Sequence, residues 1–492
     1  MKTIFDESVP GRVTRGIVLD EDPSQPKACD MLPAGLLRGS APRMPECGEL
    51  DVVRHFTRLA ELNYSVDANF YPLGSCTMKY NPKFTETVCA LPGFTRVHPM
   101  LAQLGEAGAA SCQGALEVLY ETEKWLCEIT GMKGFTLQPM AGANGEFTGV
   151  SLIAAYHRSK GRSRHIMLIP DSAHGTNPAS AHMAGFEVVS LESADGIVDP
   201  SAVQAAVDKY GEDIAGMMMT CPNTLGLMER NLKDIVRILH SVDALLYYDG
   251  ANMNAIMGRM RVGDVGFDCV HLNLHKTFAT PHGGGGPGSG PVGCSERLLP
   301  FLPSPRVEKR GDGTFGLMPE SSLSIGHIGP FYGSFGIIIR ALAYMVRLGN
   351  AGIRRVADYS VLNANYLRKK LEDVLQVTFN RICMHEFVAS APEGMRALDI
   401  AKGLLERGYH APTIYFPLLV HECLMPEPTE TESKQTLDAF SDAVHEIVAE
   451  GRKDPETLLS APHGLPVTRL DETKAARLGG NKKIHKGRRG GS

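Results

Sequence analysis

Through the middle of the chain, short apolar runs alternate with longer stretches whose apolar residues recur at helical spacing. Residues 166–169, 188–191, 216–220, 244–248 and 270–274 are runs of the length and composition of buried strands. Residues 116–130 and 147–156 carry the helical pattern. Strands alternating with helices predict a mainly parallel sheet covered on both faces, spanning a large domain over 91–330. Residues 334–348 and 353–371 are long and amphipathic and read as helices leaving that domain. Residues 386–390, 397–406, 415–420 and 435–450 then alternate strand and helix in a smaller C-terminal α/β domain, 331–478. Residues 1–90 are rich in Pro and Gly around one helix at 52–62. They read as an arm lying over a body or a neighbouring subunit. Residues 479–492 are expected to be a basic, flexible tail.

One of the apolar runs delivers a lysine. His271-Leu272-Asn273-Leu274-His275-Lys276-Thr277 leads into Gly283-Gly284-Gly285-Gly286. Burial disfavours the charged form of a lysine, and a neutral amine attacks an aldehyde, so this is the setting of a Schiff-base lysine. A surface lysine following a core strand would leave the same string. The upstream residues bear on the choice. Asp249 ends the run Ala244–Tyr248 and precedes Lys276 by 27 residues. A carboxylate there can keep a pyridinium nitrogen protonated, making the ring an electron sink. The alternative is a carboxylate capping the next helix or turn. Gln138-Pro139-Met140-Ala141-Gly142-Ala143-Asn144-Gly145-Glu146 precedes a helical stretch. Small residues let the backbone approach a ligand, and free N–H groups at a helix start bind phosphate. His174, in Ser172-Ala173-His174-Gly175-Thr176-Asn177-Pro178, follows another strand. Ligands gather at such loops in open α/β sheets. Its ring would stack on the cofactor, or would be bonded to loop backbone.

Composition adds exclusions. With 492 residues the chain can build a large core and more than one domain. A net charge of −5 gives no reason to expect nucleic acid or an anionic membrane as partner. No run approaches the ~20 apolar residues of a spanning helix, and the first residues carry acids early without an apolar signal region. A cytoplasmic location is expected. The eleven cysteines form no Cys-x-x-Cys pair, so reduced, mostly buried thiols are expected. Gly283–Gly290 lacks the Gly-Lys-Ser/Thr ending of a nucleotide loop. His271, His275 and His282 share no carboxylate spacing, and His271 and His275, taken as one strand, lie ~13 Å apart, so no metal is expected. His275 instead fits contact with a cofactor or its phosphate beside the lysine. The tail Lys482–Arg489, flanked by glycines, reads as a disordered end rather than a nucleic-acid patch.

From about Asn63 to about Arg477 the chain resembles the P-protein family, the glycine dehydrogenase (decarboxylating) of the glycine cleavage system. Besides the segments above, Tyr71-Pro72-Leu73-Gly74-Ser75-Cys76-Thr77-Met78-Lys79, Asp249-Gly250-Ala251-Asn252-Met253-Asn254 and Glu427-Pro428-Thr429-Glu430-Thr431-Glu432-Ser433-Lys434 carry the likeness. Met140 and Asn144 stand where the family usually has asparagine and glutamine. At half the length of the single-chain form, the sequence is similar to the second subunit of the two-subunit form. The resemblance implies a fold-type I pyridoxal phosphate-dependent transferase fold of the α/β class. It implies catalytic roles for Lys276, Asp249 and His174. It implies cofactor contacts from these three and from Gly142, Ala143, Asn144, His275 and Thr224. It further implies glycine decarboxylation, with the aminomethyl group passed to the lipoyl disulfide of a small carrier, the H-protein. A homologous first subunit is expected as partner, two copies of each. The rival readings are another fold-type I enzyme, such as an amino-acid decarboxylase or a cysteine desulfurase, and a cofactor-free structural or regulatory subunit.

Overall fold

The computed structural model of the chain describes residues 2–12, 14, 28–40, 42–98, 100–283, 288–471 and 473–474. Gly284–Gly286 of the glycine-rich loop and the basic tail lie outside the described residues. The chain divides into two compact units, Met1–Ser65 and Val66–Ser492.

The first unit is built around one helix, α1 (Glu49–Glu61). The Gly48 N–H is held by Asp51 Oδ2 at 3.1 Å, and His55 Nδ1 lies 3.2 Å from Glu7 Oε2. Among its described residues only His55 is buried. Met31, Leu36, Met44, Val53 and Phe56 are each more than half exposed.

The second unit carries a seven-stranded sheet. Its strands are β1 (Gly134–Thr136), β2 (Ile166–Pro170), β3 (Glu187–Leu191), β4 (Ile214–Thr220), β5 (Leu245–Gly250), β6 (Cys269–Leu272) and β7 (Val292–Cys294). Their order is β1-β7-β6-β5-β4-β2-β3. The four pairings from β6 to β3 are parallel, and β7 runs antiparallel between β6 and β1. The sheet is mainly parallel, and all five apolar runs read as strands fall within it. The residues of the central strands β4, β5 and β6 divide between two cores, one on each face. Met217, Met219, Leu246 and Tyr248 pack on one face with Leu116, Leu119 and Leu126 of α2 (Gln113–Thr130). Ala215, Met218, Leu245 and Tyr247 pack on the other with Val150, Ile153 and Ala154 of α3 (Gly142–Ser159). Helix α3 lies so close that a Cβ on Gly149 would collide with the Tyr247 ring.

Helix α4 (Thr176–Met183) follows β2, and beyond the sheet two helices run on from one another as α5 (Phe335–Leu371). The two predicted helices are its halves, joined at Gly349, whose φ of 59° and ψ of −176° break the helical geometry. By length and composition α5 could cross a membrane. Its apolar residues serve two protein cores instead. Ile337, Ile338, Ala341 and Met345 enter the core of the sheet, and Ala364, Leu367 and Leu371 enter a second one. That second core belongs to the C-terminal part. There α6 (Ala397–Glu406) and α7 (Lys434–Lys453) back a four-stranded antiparallel sheet of β8 (Gln376–Val377), β9 (Ala389–Ser390), β10 (Thr413–Ile414) and β11 (Cys423–Met425), in the order β8-β9-β11-β10.

One expected strand is absent here. Residues 415–420 form a loop between β10 and β11. Pro417 has no N–H for a ladder, and Leu418 and Leu419 point outward, 90% and 51% exposed. An apolar run is a strand only where something covers it. The strand expected at 386–390 is likewise shorter, beginning at Ala389.

The segment Pro72–Lys79 lies along β11. The Gly74 N–H donates to Met425 O (3.1 Å) and the Glu427 N–H donates to Pro72 O (3.1 Å). A Cβ at Gly74 would strike the Met425 carbonyl, so only glycine allows this approach. The segment ends on Lys79, whose side chain is 1% exposed. Its Nζ sits 2.7 Å from Glu430 Oε1 and 2.9 Å from Asn254 Oδ1. Burial pulls the Lys79 pKa below its usual value, and Glu430 opposes that shift. Removing one partner of a buried pair strands the other charge, so Lys79→Ala should cost about 3–5 kcal/mol. Chemical denaturation of the purified chain measures this, and a loss below about 1 kcal/mol would contradict the pairing.

Candidate active site

The carboxyl ends of β2, β4, β5 and β6 open on the same edge of the sheet. The loops that follow converge on one cavity of about 230 Å³. Lys276, Asp249, His174, Gly142, Ala143 and Thr224 all line it. Asn144 and His275 are not among its lining residues. Asn144 Oδ1 accepts from the Met140 N–H at 3.0 Å, and its own N–H belongs to the first turn of α3. His275 lies against the glycine-rich loop, with the Ser289 N–H 3.4 Å from Nδ1 and the His282 ring at 5.3 Å. Burial, then Lys276, pushes its pKa down to about 3, so the ring is neutral. His271 and His275 do not share a strand as expected: β6 ends at Leu272, and His275 and Lys276 belong to the turn that follows. That turn lets Lys276 reach back. Its Nζ donates to the Ser75 carbonyl at 2.7 Å.

Asp249 sits inside β5 and is 4% exposed. Burial pushes its carboxyl up, but His271, the Ala251 N–H (3.0 Å from Oδ1) and Lys276 outweigh it and hold the pKa below the usual value. His271, first considered only as a metal ligand, stands in β6 beside Asp249. Its Nδ1 meets the Tyr247 hydroxyl, and its Nε2 lies 3.5 Å from Asp249 Oδ1. His174 is exposed at the cavity's side, edge-on to Phe416 at 5.7 Å. The Thr176 hydroxyl bridges His174 Nδ1 (2.9 Å) and Glu146 Oε1 (2.8 Å). Thr224 turns its hydroxyl to Ser172 O at 2.7 Å.

Among the lining groups that the sequence did not mark as site residues are Ser75, Glu146, Asn273, His385 and Glu386. Ser75 and Glu146 lie in strings that stood out without a role attached. Asn273 is the odd-numbered polar residue in an apolar run. His385 and Glu386 had no local signal, because only tertiary folding brings the C-terminal part to this edge. Glu146 is 5% exposed. Burial, then the neighbouring Asp249, raises its pKa to about 8, so it carries a proton at neutral pH.

The cavity fits pyridoxal phosphate. A primary amine and a buried carboxylate face the same space. The first N–H groups of α3, at Gly142, Ala143 and Asn144, have no intrahelical acceptor and suit a phosphate. The Asn273 Oδ1 is buried without a partner in this wall. Gly142 lies close to this wall: a Cβ there would come within 2.8 Å of the Asn273 amide, which would have to shift. This fold and cavity are those of the fold-type I pyridoxal phosphate enzymes.

Comparison with known proteins narrows the class. The profile described as "Glycine dehydrogenase, C-terminal domain" matches residues 356–461. A protein of Caldanaerobacter subterraneus subsp. tengcongensis named "Probable glycine dehydrogenase (decarboxylating) subunit 2" is 52% identical over 91% of this chain and 92% of its own length. The like-named protein of Kosmotoga olearia is 51% identical over 96% and 98%. Among solved structures, glycine decarboxylase (P-protein) of the glycine cleavage system in inhibitor-bound form aligns with a TM-score of 0.71 at 21% identity, covering 85% of this chain and 94% of that one. Alanine–glyoxylate aminotransferase of Nostoc aligns at 0.57 and 15% identity, covering 78% and 96%. The chain belongs to the glycine dehydrogenase (decarboxylating) subunit 2 family.

The raised pKa of Glu146 makes a stability prediction for the cofactor-free chain. Between the usual carboxyl pKa and about 8 the folded state holds a proton that the unfolded state has lost. Folding stability therefore falls as pH rises through this window, by up to about 1.4 kcal/mol per unit from this one group. Glu146→Gln removes that slope. The variant should gain on the parent steadily from pH 5 to pH 8 in thermal melts, and parallel curves would refute the buried proton.

Proposed function

We propose that the chain is the cofactor-bearing subunit of a glycine dehydrogenase that decarboxylates glycine and passes the aminomethyl group to the lipoyl disulfide of an H-protein carrier. The convergence of Lys276, Asp249 and the start of α3 on one cavity carries this reading. Bound there, pyridoxal phosphate supplies an electron sink for the pair left on the glycine carbon when carbon dioxide departs. Lys276 would supply the amine that holds the aldehyde and would be placed to move protons at the glycine carbon. Asp249 would keep a proton on the ring nitrogen. The N–H groups of Gly142, Ala143 and Asn144 would hold the phosphate, with His275 and Thr224 as further contacts. His174 would contact the ring.

The partner is a homologous first subunit, two copies of each. The first unit supports this, since its described residues bury no apolar side chain and leave several large ones in the open. A segment without a core of its own orders by packing on another chain. In this reading residues 1–90 act as an arm, 91–330 as the cofactor domain, 331–478 as the small domain and 479–492 as a tail, in a cytoplasmic protein.

Borohydride reduction of the cofactor-loaded chain, followed by peptide mapping, should place the pyridoxyl label on Lys276. A label on Lys79 would overturn the assignment. Asp249→Ala should keep part of the bound cofactor and lose at least about tenfold in decarboxylation, the worth of one charge-assisted contact. Near-normal turnover would remove Asp249 from its role. Light scattering with and without the first subunit reports the assembly.

A further inference from the structure

Glu386 and Glu427 form a carboxylate pair in the wall of the cavity, joined to Lys276 through one residue. Lys276 donates to the Ser75 carbonyl, while the Ser75 N–H donates to Glu386 Oε2 at 2.6 Å and its hydroxyl to Glu386 Oε1 at 3.3 Å. Glu427 is wholly buried behind, taking the Thr77 N–H (3.0 Å), the Thr77 hydroxyl (2.7 Å) and the Asn252 amide (2.8 Å). Single ligand-type atoms of Glu386, Glu427 and His385 lie within 4.8 Å of one another. Of the two carboxylates only Glu386 lines the cavity. Its exposure is 2%.

A cation could in principle occupy such a cluster. The carboxylate oxygens, however, already accept five protein donors, and a metal would have to displace them. Two buried carboxylates this close hold one proton between them more cheaply than two charges. Burial, then the charge of Glu427, pushes Glu386 well above the ordinary carboxyl range, so the proton resides on the member that faces the cavity. The other titratable groups around Glu386 do not compete for that role. His385 is kept neutral by burial. Burial raises the pKa of Cys76, and takes Cys383 and Cys423 up to about 12. Lys276 and Glu427 are the remaining neighbours.

We propose that Glu386, backed by Glu427, is the general acid that protonates the departing sulfur when a disulfide acceptor takes up the aminomethyl group. The inference rests on the disulfide-acceptor reading given above. In this step the electron pair left on carbon by carbon dioxide forms the new C–S bond. The S–S bond breaks, and its pair goes to the sulfur that leaves. That sulfur takes the proton of Glu386. Carbon is oxidised and the disulfide reduced. One proton is consumed per turnover, and the pair is reloaded from solvent.

The test uses the cofactor-loaded chain with its first subunit, glycine, and two acceptors. One is lipoamide, whose leaving thiol is weakly acidic. The other is an aromatic disulfide, whose leaving thiol is strongly acidic and departs without a proton. Glu386→Gln keeps the shape and the Ser75 contacts but carries no transferable proton. Transfer to lipoamide should fall at least about 100-fold, the usual worth of a general acid. Exchange of labelled carbon dioxide into glycine, which breaks no S–S bond, should fall far less, and the aromatic disulfide should restore transfer to within a few-fold of the parent. Equal losses with both acceptors, or an equal loss in exchange, would overturn the proposal. If Glu386→Gln does not load cofactor, Glu427→Gln decides. Removing the neighbouring charge lowers the pKa of Glu386, so the alkaline fall in transfer to lipoamide should move to lower pH, and an unmoved limb would refute the pairing. Stoichiometric metal in the purified enzyme, with transfer lost on chelation, would also refute it. A parent enzyme that exchanges carbon dioxide but transfers to neither disulfide would instead refute the acceptor reading.

Discussion

The architecture depends on three glutamates of the C-terminal part that clasp one short segment of the N-terminal part of the second unit. Glu386 holds Ser75, Glu427 holds Thr77 and Glu430 holds Lys79. The three clasped residues come from a turn-containing segment that Gly74 pins to the end of β11 at Met425. Ser75 and Thr77 take φ values of 61° and 50°, a region that side-chain-bearing residues avoid and a β-branched threonine avoids most. Such backbone persists only where its surroundings over-determine it. Here each strained residue offers both its N–H and its hydroxyl to one buried carboxylate. The charges of Glu427 and Glu430 are met by these donors and by Lys79, and burial beside Glu427 keeps Glu386 protonated, which is how three acids can lie so close together.

The clasp also explains why the site needs both parts of the second unit. The sheet alone supplies an amine, a carboxylate and a helix start, all from loops at the carboxyl ends of parallel strands. That is the equipment for holding a cofactor. The wall bearing Ser75, His385 and Glu386 comes from the clasped segment and the region leading into β9. Lys276 touches both, through the Ser75 carbonyl. A displacement of the C-terminal part would therefore change the surroundings of the lysine without touching the sheet.

Helix α5 ties the two cores together. Its residues up to Val356 contribute to the core of the sheet and those from Ala364 on to the C-terminal core, so the handover lies beyond the break at Gly349. Read by hydropathy alone it resembles a membrane helix. The placement of its apolar residues on two protein cores, not their number, distinguishes the cases.

Much of this was legible in the chain itself. The five parallel strands, both halves of α5 and the helices at 397–406 and 435–450 follow from periodicity, because burial on a sheet or along one helical face imposes a local repeat. Lys276, Asp249 and the Gly142 helix start were legible because each lies at or just beyond an end of such an element, and the strands of a parallel sheet end on one side. The loop at 415–420 was misread because apolar composition does not say whether a covering layer exists; Pro417 and the exposure of Leu418 settle that in three dimensions. The neutrality of Glu146, the contact of His271 with Asp249 and the pairing of Glu386 with Glu427 were not legible at all. Protonation is decided by which charges lie within a few ångströms and how much water is excluded, and residues 22 to 103 positions apart meet only through the fold. The sequence determined the elements and the residues at their ends; the tertiary structure decided which of those ends share a low-dielectric cavity, and hence which groups are charged.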